Sequence, residues 1–156
     1  MAEKKKKTCM DAALTYLTAR MRSEKEMRQY LEKKEYEPEE IAAVMERLKE
    51  YRYIDDQAFA DEWIRTRTAT KPIGKYALSQ GLYRKGIDKE TIERSLQSYN
   101  AADEQTACEA LCKKLINKHG TDRAALMKVQ RALLTRGFSY DTMRNALAHV
   151  KDVDWE

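Results

Sequence analysis

Apolar residues recur along this chain in a pattern that repeats every 51 positions. Met27, Leu31, Tyr36, Ile41 and Met45 are followed by Leu78, Leu82, Ile87, Ile92 and Leu96, and then by Val129, Leu133, Phe138, Met143 and Leu147. Five apolar positions held in register through three copies mark an internal repeat. In each copy the first two are four apart and so are the last two, the spacing of neighbours on one helix face. A turn repeats between these pairs as Lys34-Glu35-Tyr36, Lys85-Gly86-Ile87 and Arg136-Gly137-Phe138. The pattern predicts an all-α chain of three tandem three-helix units, elongated and curved, with small separate cores. The expected divisions are a disordered basic tail over 1–7, units over 8–50, 51–101 and 102–150, and a frayed acidic tail over 151–156.

Local signals place the helices within each unit. A first helix from about Thr8 to Arg20 would turn Ala13, Leu14 and Leu17 inward. Ser23 is set to cap a second helix with Glu26 as its capping-box partner. Pro38 would start a third, carrying Ile41, Val44, Met45 and Leu48. In the middle unit Asp55 or Asp56 is the expected N-cap, because a short carboxylate accepts from free N–H groups at a helix start. Phe59 and Trp63 follow at i and i+4 with Ile64 beside them, which assigns both rings to the core. Pro72 suits the first turn of the next helix, and Gly86 a left-handed C-cap. In the last unit Asp103 is the expected cap of a helix carrying Ala107, Leu111 and Leu115; His119-Gly120 ends it, and Asp122 starts the next.

Charge distinguishes the units. Net charge is only +4 on 30 basic and 26 acidic residues, so phosphate binding would depend on clustering and not on bulk charge. No Asp or Glu falls between Trp63 and Ile87, yet Arg65, Arg67, Lys71, Lys75, Arg84 and Lys85 do. A second acid-free window, from Arg123 to Tyr140, holds Arg123, Lys128, Arg131 and Arg136. In the first unit Glu24, Glu26 and Glu32 offset the basic residues. Two units are thus suited to a polyanion and the first is not. Long basic side chains also cover ordinary solvated helix faces, and that reading competes with nucleic-acid contact.

The constellations of an enzyme are missing: there is no Gly-rich loop followed by Lys-Ser or Lys-Thr, and no nucleophile elbow. Cys108, Cys112 and His119 could share one side of a helix, but a zinc site needs a fourth ligand, and buried thiols fit better. Asp55-Asp56 reads as capping and not as a metal pair. No metal or cofactor is expected. Phe59 and Trp63 could stack on bases, though their spacing fits a core; Tyr76 and Tyr83 lie uncommitted in the basic window. Three cysteines, an odd number, point to a reducing compartment. No apolar run approaches the roughly 18 residues of a membrane span, so a soluble, cytoplasmic monomer is expected.

The run Tyr53-Ile54-Asp55-Asp56-x-x-Phe59-Ala60-x-x-Trp63-Ile64-x-x-Arg67 resembles the RecX regulatory proteins of bacteria, as do Pro72-x-Gly74, Leu82-x-x-Lys85-Gly86-Ile87 and Ile92. The likeness extends from about residue 10 to 150. It implies a non-catalytic modulator that binds the RecA recombinase on single-stranded DNA, usually restraining it, in recombination, repair and the SOS response. Some members of that family also bind DNA. Three positions depart from the family's pattern. Arg52 stands where Gly commonly precedes the Tyr, Glu35 where the first unit often has Gly, and Gly81 where an acid often precedes the Leu. A stand-alone DNA-binding regulator and a pure helical interaction scaffold are the rival readings.

Overall fold

A computed structural model describes residues 7–151, and the two terminal tails expected from the sequence lie outside that range except for Lys7 and Lys151. Among the described residues there are nine helices and no strand: α1 Cys9–Leu17, α2 Glu24–Lys33, α3 Pro38–Glu50, α4 Asp56–Thr70, α5 Lys75–Arg84, α6 Lys89–Leu96, α7 Ala101–His119, α8 Arg123–Thr135 and α9 Tyr140–Lys151. They form three tandem three-helix units, each around its own core. The first core is built on Met27, Leu31, Ile41, Met45 and Leu48, the second on Phe59, Ile64, Leu78, Leu82, Ile87 and Ile92. The third is built on Cys108, Cys112, Val129, Leu133, Phe138 and Met143. Every repeat position belongs to one of these cores, and all are buried except Tyr36 and Leu96, which pack at the margins. Ile54, one residue before the Asp55 cap, is buried in the first core.

Side-chain caps set most helix starts. Ser23 accepts from the Glu26 N–H while the Glu26 carboxylate accepts from the Ser23 N–H, a complete capping box. Asp55, Asp88 and Asp122 accept from the backbone N–H three residues on. Two expected starts, and the end and inner face of α1, are corrected. α7 begins from Asn100, whose side chain accepts from the Asp103 N–H, so Asp103 lies inside the first turn and not at the cap. α5 begins at Lys75 from Gly74, which leaves Pro72 in the connection before the helix. α1 ends at Leu17, and the face it buries is Cys9, Ala12 and Ala13; Leu14 is 39% exposed.

The repeated turn has one backbone design in all three units. Tyr36, Ile87 and Phe138 each donate a backbone N–H to the carbonyl five residues back, on Leu31, Leu82 and Leu133. This closing bond needs a left-handed residue before it. Gly86 and Gly137 have φ of 81° and 87°, and Glu35 has φ of 64° at the equivalent position. Arg52 is also left-handed, with φ of 57°. Both residues therefore bear a conformation that L side chains adopt at a cost of roughly 1–2 kcal/mol.

Candidate functional site: basic faces and the joints between units

The units are held together by a contact that occurs twice. In each case the start of one unit's second helix lies on the repeated turn of the unit that follows. At the first joint the Ser23 hydroxyl donates to the Lys85 carbonyl at 2.7 Å, and the Glu24 N–H donates to Asp56 Oδ1 at 2.9 Å. At the second the Gly74 N–H donates to the Arg136 carbonyl at 2.8 Å, the Tyr76 N–H to the Gly137 carbonyl at 3.2 Å, and the Lys75 N–H to Glu104 Oε2 at 2.6 Å. Ser23 and Gly74 are repeat equivalents, as are Lys85 and Arg136. Asp56 and Glu104 do the same work in both places: a carboxylate from the following unit satisfies an orphan N–H at a helix start. Asp55 is thus the cap of its own helix, while its neighbour Asp56 serves the unit before.

Charge collects at the first joint. Glu26, with a side chain only 12% exposed, pairs with Arg20 of its own unit and with Lys85 Nζ of the next at 3.2 Å. Burial alone would raise the Glu26 carboxyl, but hydrogen bonds from Arg20, the Ser23 N–H and Lys85 outweigh it and hold the group at about 2. Asp56 moves the other way, pushed up chiefly by burial against the pull of the Glu24 N–H. From the sequence Glu26 is a capping-box partner and an acid that offsets basic neighbours; besides the capping box it is a cross-joint anchor.

The ten basic residues of the two windows fall into separate environments. Lys85 and Arg136 sit at the joints, and Arg136 Nη1 donates to the Pro72 carbonyl at 3.1 Å. Lys75 is the first residue of α5 at the second joint and is half-buried. Arg65 is paired with Glu62 at 2.6 Å. Arg67 is half-buried, its guanidinium 3.0 Å from the Trp63 ring centroid. Burial, then the nearby Arg20 charge, lowers its pKa. Lys71, Arg84, Arg123, Lys128 and Arg131 are exposed and have no ion pair among the described residues. The last three share α8 with the exposed Met127 and Leu134.

The remaining candidates divide in the same way. Phe59 is buried, whereas Trp63 packs against the second core from its edge and is half-buried. That corrects the full core placement expected for Trp63. Gly81 accommodates the ring, since a Cβ there would stand 2.9 Å from Trp63 Cζ2. Cys108 and Cys112 are fully buried, while His119 is exposed at the end of α7. Burial pushes the Cys108 thiol up to about 12, which suppresses the thiolate needed by a metal or an electrophile. Tyr76 and Tyr83 are exposed. Among the described residues no three metal-ligating groups cluster, and no helix is long and apolar enough to cross a membrane.

Fold and joints together define a tandem trihelical repeat protein, whose units meet through helix starts laid on glycine turns. Models for the first, second and third three-helix domains of RecX match residues 9–48, 55–96 and 102–147. The chain belongs to the RecX family. It is 36% identical over 151 residues to the Regulatory protein RecX of Halalkalibacterium halodurans, covering 92% of this chain and 57% of that protein. It is 35% identical over 141 residues to that of Bacillus subtilis, covering 89% and 53%. The chain therefore spans about half the length of these two relatives. With the Regulatory protein RecX of Prosthecochloris aestuarii it shares 32% identity over 147 residues, 94% of this chain and 96% of that one. The crystal structure of RecX from Lactobacillus salivarius superposes with a TM-score of 0.86 at 28% identity, over 93% of this chain and 96% of that one.

Proposed function

We propose that this chain is a non-catalytic, negative regulator of the RecA recombinase that docks as a cytoplasmic monomer on the RecA–single-stranded DNA filament. Membership of the RecX family, in all three consecutive domains, is the observation that carries the reading. Charge placement supports it. Lys71 and Arg84 on the second unit, and Arg123, Lys128 and Arg131 on the third, are exposed cations not spent on the fold. Such residues keep their full charge for phosphates or for acidic protein surface. The Arg65, Lys85 and Arg136 side chains are engaged within the fold and contribute less to docking.

The test is RecA's ATP turnover on single-stranded DNA, with and without this protein. Wild type should slow turnover as filament is lost. Lys128→Glu with Arg131→Glu, and separately Lys71→Glu with Arg84→Glu, should each weaken the effect by about tenfold or more, since like charges across an interface are costly. Lys33→Glu with Lys34→Glu is the control on the first unit and should change little. Added salt should weaken wild type more than either double variant. No effect of wild type at saturation would remove the reading, and equal losses in all three variants would reduce it to net charge.

A further inference from the structure

The connection between α1 and α2 and one face of α4 enclose an open groove of about 540 Å³ between the first two units. Its apolar part is Met21, Phe59 and Trp63, and its charged part includes Arg67 and Glu62. Arg20 and Lys85 also line it and are held by Glu26, while Arg65 outside it is held by Glu62. Arg67 differs, because among the described residues it has no carboxylate partner. It is half-buried, its charge is disfavoured first by burial and then by Arg20, and its Cζ stands 3.0 Å from the Trp63 ring centroid.

From this arrangement we infer that the groove is a docking site for an acidic side chain of a protein partner, carried beside a bulky apolar residue. Trp63 takes one side of the guanidinium, and the N–H groups, none of them given to a carboxylate among the described residues, suit a planar acceptor, which a carboxylate meets with two parallel hydrogen bonds. A cation already stripped of water gains more from such a partner than a solvated one does. The apolar lining supplies the surface for a neighbouring apolar side chain. A strand of nucleic acid fits less well. Of the three cations lining the groove, Arg20 and Lys85 are already paired with Glu26, so successive phosphates would find one unpaired charge, whereas a lone carboxylate brings one charge to that one guanidinium.

This site rests on the regulatory reading above and gives the recombinase filament a protein-side contact separate from the exposed cations of α8. The experiment places a photo-crosslinker at the groove's exposed rim, as Thr66→p-benzoylphenylalanine, and irradiates it on the RecA–single-stranded DNA filament. Mass spectrometry then identifies the crosslinked species. The expected product is a RecA peptide containing Asp or Glu next to an apolar residue. In parallel, Arg67→Gln and Arg67→Lys should both lower filament affinity by about tenfold, because lysine keeps the charge and loses the fork. Crosslinks to DNA would overturn the inference in favour of a nucleic-acid groove. Filament binding without any crosslink, or full affinity in Arg67→Gln, would show that the groove faces away and overturn it alone. If the wild-type chain fails to bind the filament at all, the regulatory reading falls and this site falls with it.

Discussion

The two joints occupy equivalent places in the repeat, yet they are built from different chemistry. At the first joint side chains make the contact: the Ser23 hydroxyl reaches the Lys85 carbonyl, and Glu26 bridges Arg20 and Lys85. At the second joint backbone meets backbone, through Gly74 to Arg136 and Tyr76 to Gly137. The difference follows from one residue. With Gly74 where the first unit has Ser23, nothing holds the two main chains apart, and a Cβ on Gly74 would run into the Gly137 carbonyl group. A Cβ on Gly86 would first meet the side chain of Lys25, from its Cβ outward, and not a backbone carbonyl. A repeat thus preserves where its units touch without preserving how, and the second joint has the narrower tolerance.

That asymmetry is broken most directly at the two turn glycines. Gly137→Ala adds a left-handed alanine and drives its Cβ against Ala77, backbone included. The expected cost is about 2–4 kcal/mol, from roughly 1–2 for the conformation and the rest from overpacking. Gly86→Ala bears the same conformational term, and its nearest obstruction is the Lys25 side chain, from Cβ at 2.5 Å outward, whereas at Gly137 the Ala77 backbone is also in the way. Its cost should be about 1–3 kcal/mol, below that of Gly137→Ala. Urea denaturation of the two variants checks the order. Equal losses would mean that the second joint is no tighter than the first.

Acid should separate the joints a second time. Glu26 is held at about 2, below its ordinary 4.5. A carboxyl depressed on folding adds stability that is present above the unfolded value and lost as pH falls through the folded one. Its contribution should therefore fade between about pH 4.5 and 2. Asp56, raised chiefly by burial, has the opposite sign, and the folded state gains from its protonation as pH falls. Glu26→Gln should cost about 2 kcal/mol at pH 7, as expected for hydrogen bonds to a charged group. The gap to wild type should close progressively below pH 4.5 in denaturation titrations. A gap that stays constant to pH 3 would show that the pairing with Arg20 and Lys85 does not stabilise this joint.

What was legible in the sequence was what lies close along the chain. The 51-residue register placed the core residues of all three units, because each apolar pair sits within one helix turn and each turn is closed by its own backbone. Errors came where two nearby residues could do the same job. Asn100 and Asp103 are both good caps, and Pro72 reads as a helix start although Gly74 provides it. The joints were invisible because their partners lie 29 to 64 positions apart, as for Lys75 with Glu104 and Arg136 with Pro72. The basic window misled at its edge. Drawn from Trp63, it omits Glu62, which takes up Arg65, and it treats Lys85 as a surface cation when Glu26 of another unit already holds it.

The smallest effect tests the third copy of the turn, where the comparison has no joint to consider. Glu35 is exposed and left-handed at φ 64°, in the place that Gly86 and Gly137 fill in the other units. Arg52, also exposed, is left-handed at φ 57° before Tyr53. Replacement by glycine relieves roughly 1–2 kcal/mol of backbone strain at either position. Glycine returns part of that by enlarging the freedom of the unfolded chain, by roughly 0.5–1 kcal/mol. Glu35→Gly and Arg52→Gly should therefore each stabilise the protein by about 0.5–1 kcal/mol, the difference of those two terms. The sites lie at different turns, so the double variant should gain nearly the sum. Thermal and urea melts of the three variants decide it. A loss of stability in Glu35→Gly would mean that the glutamate side chain repays its strain through contacts of its own, and that the first turn is not simply a glycine turn carrying the wrong residue.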